Sequence, residues 1–562
     1  MIIIRFLKLL SVLFVIISFQ SENLVSGQNC DTILYGNPSI YTLIDGNNLS
    51  GIGPGSTICL KGGNYYQIRV INLYGSAEQA ITIKPIDSVV HINNNTSYAI
   101  KVGNSRYLHL DGALSGFDYG VNISGTGGNG ISVDDLASDI EINHFEISNT
   151  NIAGIMAKTD PDCSFTSTRD SFTMYNVHFH HNYIHHTRTE GFYIGSSFFN
   201  GKSLQCNGQD TIVYPHIIKG VSVHHNRLEY TGYDGIQVSS STENCSIHDN
   251  IVRFDSDKGQ YGQMSGIIVG DGASCDCYNN DIRFGKGIGI EVHGTGGQRI
   301  FNNIIVECGR TYRPLTQGAY SKPGIYVSYN LYNPGNLPYQ IFNNTIYKPK
   351  SEGIRFSNVN ATENLFYNNI IIDPGIWDYY DSSNIPTIQS YINVNVNVNH
   401  VEKTNYFSRN SQVFGFVDTL NYNLKLQKWS LGVDNGSDVS AWNIVFDVAN
   451  QTRPIGKSYD IGAYEYQTGE SSNLQKKQIS LIKSVWYKKS NKQLKVEFAN
   501  IIHGKYQLSI SDIQGKRYYS ETKTINRGES VHIINFKTSL PDIIILSVDN
   551  NKVHDSVKII TQ

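Results

Sequence analysis

From about residue 140 to 372 one pattern of apolar and polar positions keeps returning: an apolar strand, an asparagine, more apolar residues, then a glycine that opens another apolar strand. The asparagines are Asn143, Asn182, Asn226, Asn250, Asn280, Asn303, Asn344 and Asn369, several of them 23 to 25 residues apart and others farther, as loop insertions would make them. Recurrence at such a period predicts a solenoid of stacked coils. Three residues before the asparagine runs an apolar column (Phe179, Val223, Ile247, Cys277, Ile300), and two residues after it another (Ile184, Leu228, Val252, Ile282, Ile305). Both are expected to face inward. Between them His180, His224, His248, Tyr278, Phe301, Phe342 and Tyr367 form a column of rings. Such columns make sense if equivalent residues stack at strand spacing, roughly 4.8 Å per coil. The asparagines would then form a ladder in which each amide satisfies the next.

The glycines (Gly154, Gly191, Gly235, Gly266, Gly289, Gly324, Gly353) each precede an apolar residue. Strand alternation aims the following residue outward, which gives the column Met156, Tyr193, Gln237, Ile268, Glu291, Tyr326 and Arg355.

Length adds that 562 residues exceed one compact core, so a solenoid plus an accessory domain is expected. A net charge of −3 offers no field for nucleic acid or an anionic membrane. Arg5 and Lys8 precede a short apolar run, Leu9 to Phe19, and Val25-Ser26-Gly27 supplies small residues for cleavage. Residues 1–27 thus read as a signal peptide, too short to span a bilayer, and no membrane-spanning segment is expected in the mature chain. Export permits disulfides. Cys30 and Cys59 are placed to staple the N-terminal end, and Cys163 and Cys206 to tie two insertions. Cys245, Cys275 and Cys277 fall on inward positions and read as small buried hydrophobes.

These coils resemble the right-handed parallel β-helix family that includes pectate lyases and chondroitinase B, over roughly residues 40 to 465. Gly55-Ser56-Thr57-Ile58-Cys59-Leu60-Lys61-Gly62-Gly63-Asn64-Tyr65-Tyr66 is similar to the opening coil of many such proteins, and Asp460-Ile461-Gly462-Ala463-Tyr464-Glu465-Tyr466 to the closing motif of many secreted bacterial ones. The resemblance implies an all-β chain, with a right-handed parallel β-helix over 28–466. Residues 467–478 are polar and read as a linker. The alternating strands of 479–562 predict a small β-sandwich. With Asp512-Ile513-Gln514-Gly515-Lys516 and the terminal Val557-Lys558-Ile559-Ile560 they resemble the C-terminal sorting domain of the type IX secretion system of Bacteroidetes. Asp542-Ile543-Ile544 stands where that family has Gly-Ile-Tyr. The resemblance implies export by that machinery, to the medium or the outer cell surface, and we expect a monomer.

Polar residues are densest between 156 and 293, flanked by two insertions, Thr159 to Ser171 and Ser196 to Ile217, expected to rise side by side as a wall. A lyase acting on a uronic-acid polymer must neutralise a carboxylate, remove a proton at C5 and assist the leaving oxygen. Lys158 or His293 is a candidate base, Tyr193 a candidate acid, and Glu190 and Asp234 complete the catalytic candidates. Arg188 is a candidate grip on the substrate carboxylate, with Gln237, Glu291, Tyr326 and Arg355 as further substrate contacts. Asp160, Asp162, Glu190 and Asp234 are candidate oxygen ligands for Ca²⁺. The adjacent histidines His180-His181, His185-His186 and His224-His225 are expected on opposite faces of their strands, against a shared metal.

The Arg-x-Pro-x-x-Arg of pectate lyases is absent, and Val292-His293-Gly294 echoes only part of the polygalacturonase Gly-His-Gly. Thr189-Glu190-Gly191-Phe192-Tyr193-Ile194-Gly195 is similar to the Glu-bearing strand of chondroitinase B-like lyases but lacks the lysine that follows there. The leading expectation is β-elimination on an acidic polysaccharide. The alternatives are hydrolysis by paired carboxylates among Glu190, Asp234 and Glu291, and a non-catalytic adhesin or glycan-binding surface protein.

Overall fold

The computed structural model describes residues 30–312, 321–329, 337–375 and 391–467, and in the C-terminal region 482–488, 491–498, 504–512, 516–525, 531–538, 540–541, 543–550 and 553–560. The expected leader, linker residues 468–478, Ile513-Gln514-Gly515 and Asp542 lie outside the described residues. The chain divides into two compact units, Met1–Thr468 and Gly469–Gln562.

The first unit is a right-handed parallel β-helix. Among the described residues, 12 strands from Tyr41–Asp45 to Ile392–Val394 stack in one parallel sheet, and 23 form a second. The inward columns are buried as their spacing requires: Phe179, Ile184, Ile247, Ile282, Ile300 and Ile305 have no exposed surface. Each such side chain contributes about 2 kcal/mol by leaving water.

The asparagine ladder is continuous from Asn182 to Asn405. Asn182 donates through Nδ2 to Asn226 Oδ1 at 3.1 Å, and the same step recurs through Asn250, Asn280, Asn303, Asn344, Asn369 and Asn405. Two expectations are corrected. Asn143 is not a rung, because it lies opposite His180, two positions out of register; Phe145 holds the ladder position and gives its backbone N–H to Asn182 Oδ1. At the other end Asn405 extends the ladder one coil beyond Asn369. The ring column stacks as expected, with centroids 4.9 Å apart from His180 to His224 and to His248, and 4.6 Å on to Tyr278.

The paired histidines do not split between faces. His181 and His225 adopt left-handed backbone, φ 55° and 54°, which ends strand alternation and turns both rings of a pair to the same side. His180 Nδ1 stands 2.8 Å from His181 Nδ1, and His224 Nδ1 2.9 Å from His225 Nδ1.

Disulfides join Cys30 to Cys59 and Cys163 to Cys206. Cys245 and Cys275 face the interior but are also bonded to each other, so they are more than small hydrophobes, whereas Cys277 and Cys308 are buried thiols.

After the last described ladder strand, Tyr406–Ser408, the chain turns back along the outside of the coils. A short helix, Ser411–Phe414, and strands Phe416–Asp418 and Asn423–Leu426 pack with Ile304, Tyr347, Ile370 and Ile372. Residues 434–465 then cover one corner: Asn302, Asn343 and Asn368 donate through Nδ2 to the carbonyls of Phe446, Asp460 and Ser437. Arg453, fully buried, binds Glu465 at 3.0 Å and Asn302 Oδ1 at 2.6 Å.

In the second unit, Ile482–Lys488, Gln493–Phe498 and Val531–Asn535 form one antiparallel sheet, and Gly504–Asp512, Arg517–Ile525, Ile543–Asn550 and Val553–Ile560 another. Leu494 and Val496 from the first share a core with Leu508, Ile510, Ile544 and Leu546 from the second, which makes a sandwich. Among the described residues no helix is long and apolar enough to cross a membrane.

Candidate functional site

The outward column of the 12-stranded sheet is in register: Met156, Tyr193, Gln237, Ile268, Glu291, Tyr326 and Arg355 pair in succession on neighbouring strands. A second column lies beside it, made by the residue before each repeated glycine. The backbone bonds Gly191 N–H to Asp234 O and Gly235 N–H to Ser265 O place Glu190, Asp234 and Ser265 on consecutive coils of that column.

Glu190 and Asp234 are buried, at 6% and 0% exposure. With its amide nitrogen turned toward them, Gln263 reaches Glu190 Oε1 and Asp234 Oδ2 at 3.1 Å each and Gln237 Oε1 at 3.3 Å. Among the described residues Asp234 Oδ1 meets no hydrogen-bond partner. Burial, then the charges of Glu190 and Glu291, push the Asp234 carboxyl well above the carboxylate range. Burial raises Glu190 too, against its own hydrogen bonds and the nearby Lys158 charge. Two of the three carboxyls are thus biased toward the protonated form.

Glu291 goes the other way. Burial pushes it upward, but His293 Nε2 at 2.9 Å and the Ser265 hydroxyl at 2.6 Å outweigh that and hold it low. For His293, burial favours the neutral ring, and the bond to Glu291 and the charges of Glu291 and Asp271 overcome it. Lys322, 8% exposed, is pulled down by burial, with Glu291, Asp234 and Asp255 close enough to oppose that.

Beside Glu190, at the end of the strand Ile155–Ala157, Lys158 Nζ binds Asp160 at 2.9 Å and lies 4.7 Å from the centre of the Tyr193 ring. The Tyr193 hydroxyl reaches Ser197 Oγ at 3.2 Å. Over this end stand the two insertions, which rise together as expected. Besides the Cys163–Cys206 disulfide, Arg169 N–H donates to Tyr214 O at 3.1 Å, and its guanidinium stacks 3.9 Å over the Phe199 ring.

The expected site residues therefore do not form a single centre. Lys158, Asp160, Glu190 and Tyr193 make one group, and Glu291 with His293 makes another three coils away, about 14 Å along the stack. Asp234, Gln237 and Gln263 lie between. His293 and Tyr193 are consequently too far apart to serve as base and acid on one bond. Tyr326 and Arg355 stand one and two coils beyond Glu291, with Arg355 bound to Glu352 at 2.6 Å. Arg188 is exposed, two residues before Glu190.

The expected calcium set does not fit. Both Asp160 oxygens are engaged by Lys158, and Asp162 accepts the Ser164 backbone N–H at 2.9 Å in its own exposed loop. With Glu190 and Asp234 they form no convergent group among the described residues, whereas Ca²⁺ takes about six to eight oxygens. The paired Asp134 and Asp135 are both held by Lys101, at 2.9 and 2.8 Å.

Sequence reasoning missed Gln263, Ser265, Asp255 and Lys322. Ser265 had a signal, since it precedes Gly266 as Glu190 precedes Gly191. Gln263 had none, because it arrives from a loop flanked by Gly259 and Gly262 that belongs to no column.

A family model described as "Right handed beta helix region" matches residues 216–392. No curated protein matches the chain. Among solved structures, the pectate lyase Pel9A is similar at 15% identity over 78% of this chain and 98% of that one, with a TM-score of 0.40. XylC, in complex with xylose, is similar at 10% identity over 74% and 94%, TM-score 0.35. An alginate lyase from Paenibacillus sp. str. FPU-7 is similar at 16% identity over 53% and 97%, TM-score 0.29.

Proposed function

We propose that this chain is an exported enzyme that cleaves an acidic polysaccharide by β-elimination. One observation carries the reading: Lys158 and Tyr193 are held face to face at 4.7 Å beside Glu190, a carboxyl that burial biases toward its protonated form. A uronate carboxylate laid on Glu190, with the buried Asp234 behind it, would accept the Glu190 O–H, which lowers the cost of removing the C5 proton. Lys158 takes that proton. The C5 electrons form the C4–C5 double bond, the C4–O bond breaks, and Tyr193 gives the leaving oxygen its proton. Gln237, Tyr326, Arg355 and the exposed Arg188 would contact sugars along the outward column of the 12-stranded sheet. Export is supported by the disulfides, which persist in oxidising compartments. The C-terminal sandwich would serve as the type IX sorting domain.

A second reading has its own observation. Asp234 is biased toward the acid and Glu291 toward the carboxylate, the division of roles that hydrolysis of a glycosidic bond needs.

The test is to incubate the full chain with pectate, alginate, chondroitin and neutral glycans, reading both the ultraviolet absorbance of unsaturated ends and new reducing ends. Rise of both supports the lyase. Reducing ends alone would replace it with the hydrolase. Silence in both across the panel would sink enzymatic cleavage and leave a glycan-binding surface protein.

A further inference from the structure

The 23-stranded sheet carries a cluster that the chemistry proposed on the 12-stranded sheet does not use. At one corner of the coils each strand ends in a ring-column residue followed by a residue in left-handed backbone. In coils toward the C-terminus that second residue is Asn279, Asn302, Asn343 and Asn368, all near φ 55°, a conformation asparagine tolerates well. In the earlier coils it is His144, His181, His225 and Asp249 instead. The change follows the covering of the corner: Asn302, Asn343 and Asn368 lie under residues 434–465, whereas His181 and His225 are exposed.

The exposed stretch gathers metal-binding atoms. The rings of His144, His181 and His225 stack at 5.3 and 5.0 Å, next to the column of His180, His224 and His248. His225, His248 and Asp249 each offer one ligand atom, and these atoms lie within 4.8 Å of one another. His248 Nδ1 stands 2.7 Å from Asp249 Oδ2, and Asn279 Nδ2 holds the other Asp249 oxygen at 3.2 Å, the kind of outer contact that orients a ligating carboxylate.

We propose that His225, His248 and Asp249 form a site for a divalent transition ion of the zinc class, with water completing the coordination. Two imidazoles and one carboxylate suit Zn²⁺ and its neighbours rather than Ca²⁺ or Mg²⁺, which take oxygen alone. Because His225 follows the end of one strand and His248 ends the next, the ion would clip two successive coils together. The site lies on the 23-stranded sheet and is independent of the reaction proposed above.

The experiment is Zn²⁺ titration of the chelator-stripped full chain against a chromophoric competitor, with Co²⁺ as a spectroscopic probe. We expect one tight site per chain and Co²⁺ ligand-field bands. We also expect at least a tenfold loss of affinity in H225A and in D249A, the order of loss that a missing metal-site contact gives. H186A, in the neighbouring pair, should bind as the parent does. His225 is exposed, so its replacement spares the core, and circular dichroism checks the fold of each variant. Absence of a tight site, affinity unchanged in H225A, or equal loss in H186A would each overturn the proposal.

Discussion

Glu291 and His293 bind each other at 2.9 Å at the end of one strand, and each holds the other in its charged form. His293, raised above 6.5, favours the folded state fully below that value and loses its contribution as pH rises through its folded pKa. Glu291, lowered below 4.5, contributes above that value and loses it as pH falls through its folded pKa. The pair is therefore worth most from about pH 4.5 to 6.5 and fades on the alkaline side. E291Q should cost about 1–2 kcal/mol near pH 6 and clearly less near pH 9, read from denaturant unfolding at the two pH values.

Asp234 and Glu190 work in the opposite sense. Their folded values lie above the ordinary 3.8 and 4.5, so their contribution is complete below those values and declines as pH rises. D234N keeps the shape and removes the titration. Its thermal midpoint should exceed the parent's at about pH 8 and match it at about pH 4, while cleavage by either proposed chemistry falls. Equal midpoints at both pH values would show that Asp234 is ionised in the fold.

Y193F keeps the ring under Lys158 and removes the hydroxyl. Under the elimination reading it lowers kcat by about 10²–10⁴ with little change in KM, and K158A does the same. Unimpaired turnover in both variants would move the chemistry to Asp234 and Glu291.

The ladder predicts a contrast between two asparagines. Asn250 is a rung, bonded to Asn226, Asn280 and Val223, so N250A should cost about 3 kcal/mol. Among the described residues the Asn143 side-chain amide meets two side chains and no backbone group, His109 and His144, and N143A should cost about 1 kcal/mol. Urea denaturation of the two variants distinguishes them.

The Cys163–Cys206 bridge holds two insertions rather than the coils. C163S with C206S should open 159–217 to limited proteolysis and weaken glycan binding, while the unfolding midpoint of the coils shifts little.

The coils were legible because burial imposes a period: a residue facing the interior in one coil must have an apolar counterpart in the next. Asn143 misled because its coil has Phe145 at the ladder position, and Asn405 escaped because Glu402 and Lys403 stand where the other coils carry an apolar residue and a ring. Glu190 and Asp234 were legible from the glycines that follow them. Their partner Gln263 reaches them across a loop, and reach across a loop leaves no periodic trace. The histidine pairs were visible as pairs, but the left-handed backbone that turns both rings outward was not.

The return of residues 434–465 over the corner at Asn302, Asn343 and Asn368 also has a meaning in time. A chain made from its N-terminus can wind these coils before the segment that seals them exists. Their corner stays open to water until the last part of this unit has been synthesised, and Arg453, which ties Asn302 to Glu465, cannot close until twelve further residues have followed it. The fold is therefore finished from its far end backward.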